Sequence, residues 1–327
     1  MKLYRNLVLV ALILTFGVVS LGAYVRLSDA GLGCPDWPGC YGKITPLHAA
    51  DAINAELAER PEGPVSHAKA WKEMVHRYFA GTLGLLVLAI SVLAWRWRRE
   101  TAGGLGLATG LLGLIVFQAL LGMWTVTLLL KPLVVSGHLL GGMATLSLLL
   151  WLWLRERGHS SHAYFARVDH LRGAVVVGLV LVAAQIALGG WVSTNYAALA
   201  CTDFPMCQGT WVPAMDFEHS FTLRRELGET AAGDLLPLTA LTAIHWVHRV
   251  MALIVTLYLG WLAFRLLRTP GYVCFGLVVG GLLVLQVGLG ISNVLFSLPL
   301  ALAVAHNAGA ALLLASMVWL NHRVHRR

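Results

Sequence analysis

The sequence predicts an all-α membrane protein with eight transmembrane helices, which form two tandem four-helix bundles related by a pseudo-twofold axis. Three observations lead to this prediction. The 327 residues are 58% hydrophobic and only 12% charged, and the mean hydropathy is +0.73, which is typical of a polytopic membrane protein. Eight apolar segments each approach the roughly 20 residues that a helix needs to span a bilayer. A pattern in the first half of the chain returns in the second half.

The eight apolar segments are separated by polar or turn-rich stretches. They cover residues 7–24, 74–95, 104–125, 133–154, 174–192, 241–266, 272–293 and 298–321. The first is too long, and too poorly followed by a cleavage site, to be a secretory signal peptide, so we expect a true span. Within the first long external loop, Ala49, Ile53 and Leu57 recur at helical spacing, which predicts a short surface helix.

The net charge of +8 reflects membrane topology. Basic residues cluster in the short loops and tails on one side of the eight-span arrangement: Lys2, Arg5, Arg96, Arg98, Arg99, Arg155, Arg157, Arg167, Arg172, Arg265, Arg268, Arg323, Arg326 and Arg327. The positive-inside rule assigns that side to the cytoplasm, with both termini inside. We therefore expect a multi-pass protein of the bacterial cytoplasmic (inner) membrane, with the lipid bilayer as its surroundings and no nucleic-acid partner.

The repeat is detected most clearly in the external loops. Residues 21–46 align without gaps with residues 188–213, and eleven of the 26 positions are identical. The match continues in Val-His-Arg, which occurs at 75–77 and at 247–249, and in His138 and His306, each followed three residues later by glycine. We expect an N-terminal bundle over 1–157, a cytoplasmic linker over 158–172 and a C-terminal bundle over 173–327.

Four histidines lie near the external ends of predicted spans, two in each half: His76, His138, His248 and His306. Two imidazoles from opposite helices of a bundle can supply both axial ligands of a haem. Small residues surround His138 and His306 and would let a flat macrocycle approach the backbone, and Arg77 and Arg249 are placed to pair with haem propionates. Packing histidines are the alternative, and a zinc site would need further ligands at that depth.

The cysteines form two further pairs, Cys34 with Cys40 and Cys201 with Cys207, each in an external loop. The oxidising compartment outside the bacterial membrane favours two disulfides within the loops. A structural staple, a redox role above a haem edge and a four-cysteine zinc site all remain open at this point. The unpaired Cys274 is expected to serve packing.

The two halves differ at one chemically important position. Glu73 lies three residues before His76, on the same helical face, and His245 occupies the equivalent position before His248. A carboxylate beside only one pair of histidines suggests proton-coupled chemistry in one half and an electron-transfer haem in the other. The alternative is a surface ion pair of Glu73 with Lys72 or Arg77.

These motifs together resemble the haem A synthase family over nearly the whole chain. They are Gly-x-x-x-Arg26-x-Ser-x-x-Gly-x-Gly-Cys34-Pro-Asp-Trp-Pro-x-Cys40, Glu73-x-x-His76-Arg77, Gly137-His138, His248-Arg249 and His306-Asn307. The resemblance implies an oxidoreductase acting on a CH group, which converts the C8 methyl of haem O to a formyl group by successive hydroxylations, with water as the oxygen source, for haem–copper oxidase biogenesis.

The resemblance also assigns roles to residues and partners. Haem O and its product haem A would lie in the N-terminal half between His76 and His138, with Glu73 as the catalytic carboxylate, and haem b in the C-terminal half between His248 and His306. The farnesylating haem O synthase would hand over haem O, the electron acceptor is not identified, and a homo-oligomer is compatible with the sequence.

Three questions stay open from the sequence. A dihaem bis-histidine electron-transfer cytochrome explains the four histidines and the repeat equally well, and leaves Glu73 unexplained. A haem transporter or chaperone would explain the glycine-rich core and leave the fixed ligand pairs unexplained. His245 could also compete with His248 as the axial ligand.

Overall fold

The computed structural model describes residues 2–101, 104–157 and 169–325. Its helices are α1 (Lys2–Leu27), α2 (Ala50–Glu59), α3 (His67–Arg96), α4 (Gly104–Thr127), α5 (Pro132–Glu156), α6 (Arg172–Thr194), α7 (Phe217–Ser220), α8 (Leu238–Leu267), α9 (Val273–Leu295) and α10 (Leu300–His325). Eight of them, all except α2 and α7, are long and apolar enough to cross a membrane. The predicted all-α fold class and the eight spans are confirmed, and α2 is the predicted surface helix.

Most of the predicted linker, residues 158–168, lies outside the described residues, as do Arg326 and Arg327. Residues Asp169–Leu171 form a short 3-10 turn that leads into α6.

Several helices are longer than the predicted apolar segments because the polar residues at their ends are also helical. α3 begins at His67, seven residues before the predicted span, and Ser66 caps it by accepting a hydrogen bond from the Lys69 N–H at 3.2 Å. These extra polar residues extend α3 beyond its apolar segment toward the disulfide loops. They therefore place Glu73 and His76 within a continuous helix rather than at its frayed beginning.

The spanning helices form two groups. In the N-terminal group α1 packs against α3 and α5, and α4 packs against α3 and α5; in the C-terminal group α8 and α10 both pack against α6 and α9. The groups meet where α10 contacts α1 and α5, and where α5 contacts α6. These contacts are those expected of two four-helix bundles, and the exact domain boundaries stay a prediction.

Contacts between equivalent positions of the repeat support the pseudo-twofold relation. An Arg26 Nη2–H donates to the Ser193 carbonyl at 2.8 Å, and the Tyr196 hydroxyl donates to Asp29 Oδ1 at 3.0 Å. Both pairs are separated by 167 residues, which is the offset of the repeat. Equivalent positions of two related units meet only close to the axis that relates them, so these residues mark where that axis would pass.

Candidate functional site

Each of the four histidines predicted as ligands rests against a glycine of a neighbouring helix. A Cβ atom added to that glycine would lie 3.0 to 3.4 Å from the Cε1 atom of the imidazole, so a larger residue would crowd the ring. The four contacts are His76 of α3 on Gly22 of α1, His138 of α5 on Gly122 of α4, His248 of α8 on Gly189 of α6, and His306 of α10 on Gly290 of α9. The same arrangement therefore occurs twice in each half.

The histidines also pair within each half. His76 and His138 lie close enough to interact electrostatically, and so do His248 and His306. The Nδ1 atoms of His76, His138 and His306 are buried without a hydrogen-bond partner among the described residues. A buried polar nitrogen without a partner is costly in a packing residue. The Nδ1 of His245 is also buried without a partner, so the ligand role of the four histidines depends on their pairing and on their glycine contacts rather than on these nitrogens alone.

The donor set fits a haem better than zinc. Zinc in a protein takes three or four protein ligands, and the described residues contain no group of three or more histidine, cysteine, aspartate or glutamate side chains able to hold a metal ion. A haem iron needs only two axial ligands, and paired imidazoles are a common set. The glycines beside the rings offer the close approach that a flat macrocycle requires.

Glu73 lies one turn before His76 and is buried, with 5% of its surface exposed. Its Oε1 accepts a hydrogen bond from Arg77 Nη2 at 2.6 Å, and its Oε2 accepts one from the Cys34 backbone N–H at 2.9 Å. The ion pair with Arg77 exists, but it is buried and tied to the cysteine loop, so the alternative of a surface ion pair does not describe it.

Arg77 and Arg249 each hold one of the two disulfide loops. One Arg77 nitrogen donates to the Asp36 carbonyl at 2.7 Å and also to the Gly39 carbonyl, and Arg249 donates to the carbonyls of Asp203 and Cys201 at 2.9 and 3.0 Å. Both arginines thus hold a disulfide loop on the helix that carries a histidine. Their pairing with haem propionates stays a prediction.

The two disulfides, Cys34–Cys40 and Cys201–Cys207, are present. The four-cysteine zinc alternative is excluded by this pairing, because disulfide sulfurs do not bind zinc as thiolates. The unpaired Cys274 is exposed at the beginning of α9, so the packing role expected for it is wrong.

An aspartate organises the tight turn of each cysteine loop. Asp36 accepts hydrogen bonds from the backbone N–H groups of Tyr41 and Gly42, both at 2.6 Å. Asp203 accepts from Gln208 and Gly209 at 2.7 and 2.9 Å. The Gly209 N–H is the main reason that the pKa of Asp203 is lowered from its usual value. The loops are therefore rigid platforms beside the histidine sites.

His245 occupies a different environment from His248. It is buried, and its Nε2 accepts a hydrogen bond from Arg249 Nε at 3.2 Å. Its ring therefore contacts the arginine that holds the second disulfide loop. His248 instead faces Gly189 and interacts with His306. This geometry favours His248 as the ligand.

Sequence reasoning missed Gln185. Its side-chain Nε2 lies 3.1 Å from Nδ1 and 3.3 Å from Nε2 of His248. The signal that could have found it is Gln-x-x-Leu-Gly, which occurs at 185–189 as well as at 118–122 and 286–290. The copy at 185–189 does not stand out in the alignment of the two halves, because that alignment pairs Gln185 with Val18.

Comparison with known proteins places this geometry in a family. Residues 5–318 match the COX15-CtaA family model, described as cytochrome oxidase assembly protein. The chain is 45% identical to a protein of Shewanella oneidensis named "Heme A synthase" over 313 residues, covering 96% of this chain and 94% of that protein. It is 31% identical to a Caulobacter sp. protein of the same name, covering 97% and 94%. With a family match over nearly its whole length, the chain belongs to the COX15-CtaA family.

Proposed function

We propose that this protein is a haem A synthase, which oxidises the C8 methyl group of haem O to the formyl group of haem A for the assembly of haem–copper oxidases. One structural observation supports the proposal independently of the names of the related proteins. Both halves hold a pair of half-buried histidines against glycines, but only the N-terminal pair has a buried carboxylate, Glu73, one turn away.

The histidine pairs of the two halves have different tasks. Haem O and haem A occupy the N-terminal half with His76 and His138 as axial ligands. Haem b occupies the C-terminal half with His248 and His306 as ligands. When bound there, haem b supplies a one-electron carrier close to the external face. The absence of a carboxylate at His245 suits a haem that carries electrons and undergoes no bond chemistry.

The reaction balances with water as the oxygen source. A methyl group and one water give a hydroxymethyl group, two protons and two electrons; a second equivalent oxidation gives the geminal diol, which loses water to leave the formyl group. The four electrons released in the two oxidations must pass to a one-electron acceptor that is not part of this chain. The enzyme is therefore an oxidoreductase acting on a CH group.

Glu73 acts as general base and electrostatic stabiliser in both steps. Its two contacts, from Arg77 and from the Cys34 N–H, use one lone pair on each carboxylate oxygen. An ionised carboxylate has about four acceptor positions, so it can still accept the proton of the attacking water. Its negative charge also stabilises the positive carbon that forms when the methyl group is oxidised.

We also infer the setting of this reaction. Both termini face the cytoplasm, the histidine sites lie toward the external face, and haem O is handed over by the farnesylating haem O synthase. Positive charge in the short loops on the opposite side from the disulfides supports this orientation.

Extraction of the bound haems followed by mass analysis tests the function. Haem A or its hydroxylated precursor is expected beside haem b, whereas haem b alone would indicate the dihaem electron-transfer cytochrome instead. His248→Ala or His306→Ala should remove a low-spin b-type spectrum that His245→Ala largely keeps. Loss of that spectrum in His245→Ala alone would reverse the ligand assignment.

A further inference from the structure

The glycines that support the four histidines share a sequence context. Each is preceded by leucine, and four residues before it stands a glutamine in three cases and a valine in one. The pairs are Gln118 with Gly122, Gln185 with Gly189, Gln286 with Gly290, and Val18 with Gly22. Residues four apart lie on one face of a helix, so the residue at the glutamine position and the glycine face the same histidine.

In the C-terminal half both glutamines contact their histidine directly. Gln185 Nε2 lies 3.1 Å from His248 Nδ1 and donates to the His248 carbonyl at 3.2 Å. Gln286 Nε2 donates to the His306 carbonyl at 3.0 Å and lies 3.4 Å from its Nε2. The Oε1 atoms of both glutamines are buried and have no partner among the described residues.

Glycines one turn beyond two of the histidines make room for the amides. A Cβ atom at Gly309 would lie 2.4 Å from Gln286 Oε1, and one at Gly141 would lie 1.6 Å from Gln118 Nε2. Neither amide could occupy its position beside a larger residue. Gln118 thus lies against α5 one turn beyond His138, but its Nε2 has no hydrogen-bond partner among the described residues, whereas the Nε2 of Gln286 donates to the His306 carbonyl.

His76 differs from the other three histidines in the residue that the neighbouring helix offers. The position on α1 equivalent to Gln185 is Val18, which has no amide. The Nδ1 atoms of His76, His138 and His306 all lack a partner among the described residues, so the missing amide is what sets His76 apart. In metal-binding histidines the second ring N–H usually donates to an acceptor, which orients the ring and strengthens the ligand. A glutamine amide turned by 180° presents its oxygen where its nitrogen was, so Gln185 has such an acceptor beside Nδ1 of His248 and Gln286 has one beside Nε2 of His306.

We propose that Gln185 and Gln286 are positioning residues for the two axial histidines of the C-terminal half, and that Val18 leaves His76 as the exchangeable ligand. The inference rests on the proposed function, because it takes the four histidines as haem ligands. It explains how one protein can keep haem b permanently in the C-terminal half and still admit haem O and release haem A in the N-terminal half.

A reciprocal exchange of the two positions tests this. Purified protein in detergent is mixed with excess apomyoglobin, and the transfer of each haem is followed by absorbance, with mass analysis separating haem b from the farnesylated haems. Gln185→Val should speed the loss of haem b by about tenfold, as for other lost partners of metal-binding histidines. Val18→Gln should slow the loss of the farnesylated haems.

Two further variants separate positioning from simple packing. Gln185→Glu keeps an acceptor oxygen in the same place and should retain haem b while lowering its reduction potential, because a stronger acceptor makes the imidazole a better donor to iron. Val10→Gln, on an exposed face of α1, introduces the same amide away from any histidine and should change neither rate.

The outcomes are distinct. Unchanged haem b loss in Gln185→Val, or an unchanged potential in Gln185→Glu, would overturn the positioning role. Unchanged loss of farnesylated haems in Val18→Gln would overturn the exchangeable-ligand role. Full retention of haem b in His248→Ala would instead overturn the ligand assignment within the proposed function.

Discussion

Glu73 is the residue on which the difference between the two halves depends. It is buried, paired with Arg77 and bonded to the backbone of Cys34. In the other half His245 takes its place and accepts a hydrogen bond from Arg249. Glu73 therefore ties a disulfide loop directly to α3, whereas His245 contacts an arginine of its own helix, and only Glu73 can take a proton from water as a carboxylate.

We predict that Glu73→Gln keeps the haem content and abolishes turnover. The amide has the same shape and retains an oxygen for the Cys34 N–H, but it loses the charge and the basicity. Loss of a general base lowers a rate by about 10²–10⁴-fold, so haem O or a partly oxidised form should accumulate in the N-terminal half. The haems are extracted and identified by mass.

The control for this variant is Glu56→Gln, which removes the carboxylate of an ion pair with the exposed Arg60 on α2. Its haem A yield should match that of the unchanged protein. A near-normal haem A yield from Glu73→Gln would remove the catalytic role and return the N-terminal half to electron transfer.

A second residue-scale prediction concerns pH in the loop before α8. His219 Nδ1 lies 2.7 Å from Asp216 Oδ2, and this hydrogen bond raises the pKa of His219 and lowers that of Asp216. The stabilisation from His219 is fully present below its unfolded pKa of about 6.5 and is lost as pH rises through the raised pKa. The contribution of Asp216 is lost as pH falls through its lowered pKa.

An NMR titration of the His219 ring measures this effect. Asp216→Asn should bring the pKa of His219 down toward about 6.5, whereas Glu218→Gln should lower it less, because Glu218 acts on His219 only through its charge. An unchanged titration in Asp216→Asn would show that the pair does not form in solution.

At the scale of the element, the two external cysteine loops share one construction and differ in what they hold. Each has a disulfide, an aspartate that accepts two backbone N–H groups and an arginine from the following spanning helix. The loop of the N-terminal half also donates the Cys34 N–H to Glu73. The first loop therefore contacts the carboxylate that we propose as the catalytic group, in addition to the arginine that both loops contact.

We predict that Cys34→Ser lowers the haem A yield more than Cys201→Ser does. Each variant opens one short loop and should cost a similar amount of stability, about 2 kcal/mol. Only Cys34→Ser also loosens the backbone group that orients Glu73. Haem A yield is compared with total haem, and equal yields in the two variants would assign both disulfides a purely structural role.

At the scale of the whole molecule, the external loops join the two halves. Lys131, in the turn between α4 and α5, forms an ion pair with Glu226 of the second long loop at 2.6 Å. The guanidinium of Arg26 also lies 4.1 Å from the ring centre of Tyr196. These contacts, together with α5 against α10, hold the two histidine pairs in one fixed relation.

Cys274 allows a test of topology with the native sequence. It is exposed at the beginning of α9, on the side opposite the disulfide loops. A membrane-impermeant maleimide should therefore label intact spheroplasts only after the membrane is permeabilised. Cys274→Ser should remove the labelling, and labelling of intact spheroplasts would reverse the proposed orientation.

Much of this protein could be predicted from its sequence because the relevant signals are local or repetitive. Apolar length determined the eight spans, and the recurrence of Val-His-Arg and of a histidine followed three residues later by glycine determined which histidines correspond. The cysteine spacing and the external loops predicted the disulfides. Each of these conclusions depends on residues close together in the chain or on a comparison of the chain with itself.

Only the tertiary structure decided which groups meet across helices. Glu73 reaches a backbone N–H 39 residues away, and Gln185 reaches a histidine 63 residues away. The physical reason is that a membrane helix is apolar on its lipid-facing and protein-facing sides alike, so its sequence has little amphipathic pattern to indicate its rotation. Packing of small residues against neighbouring helices determines that rotation, and with it the partner that each buried polar group finds.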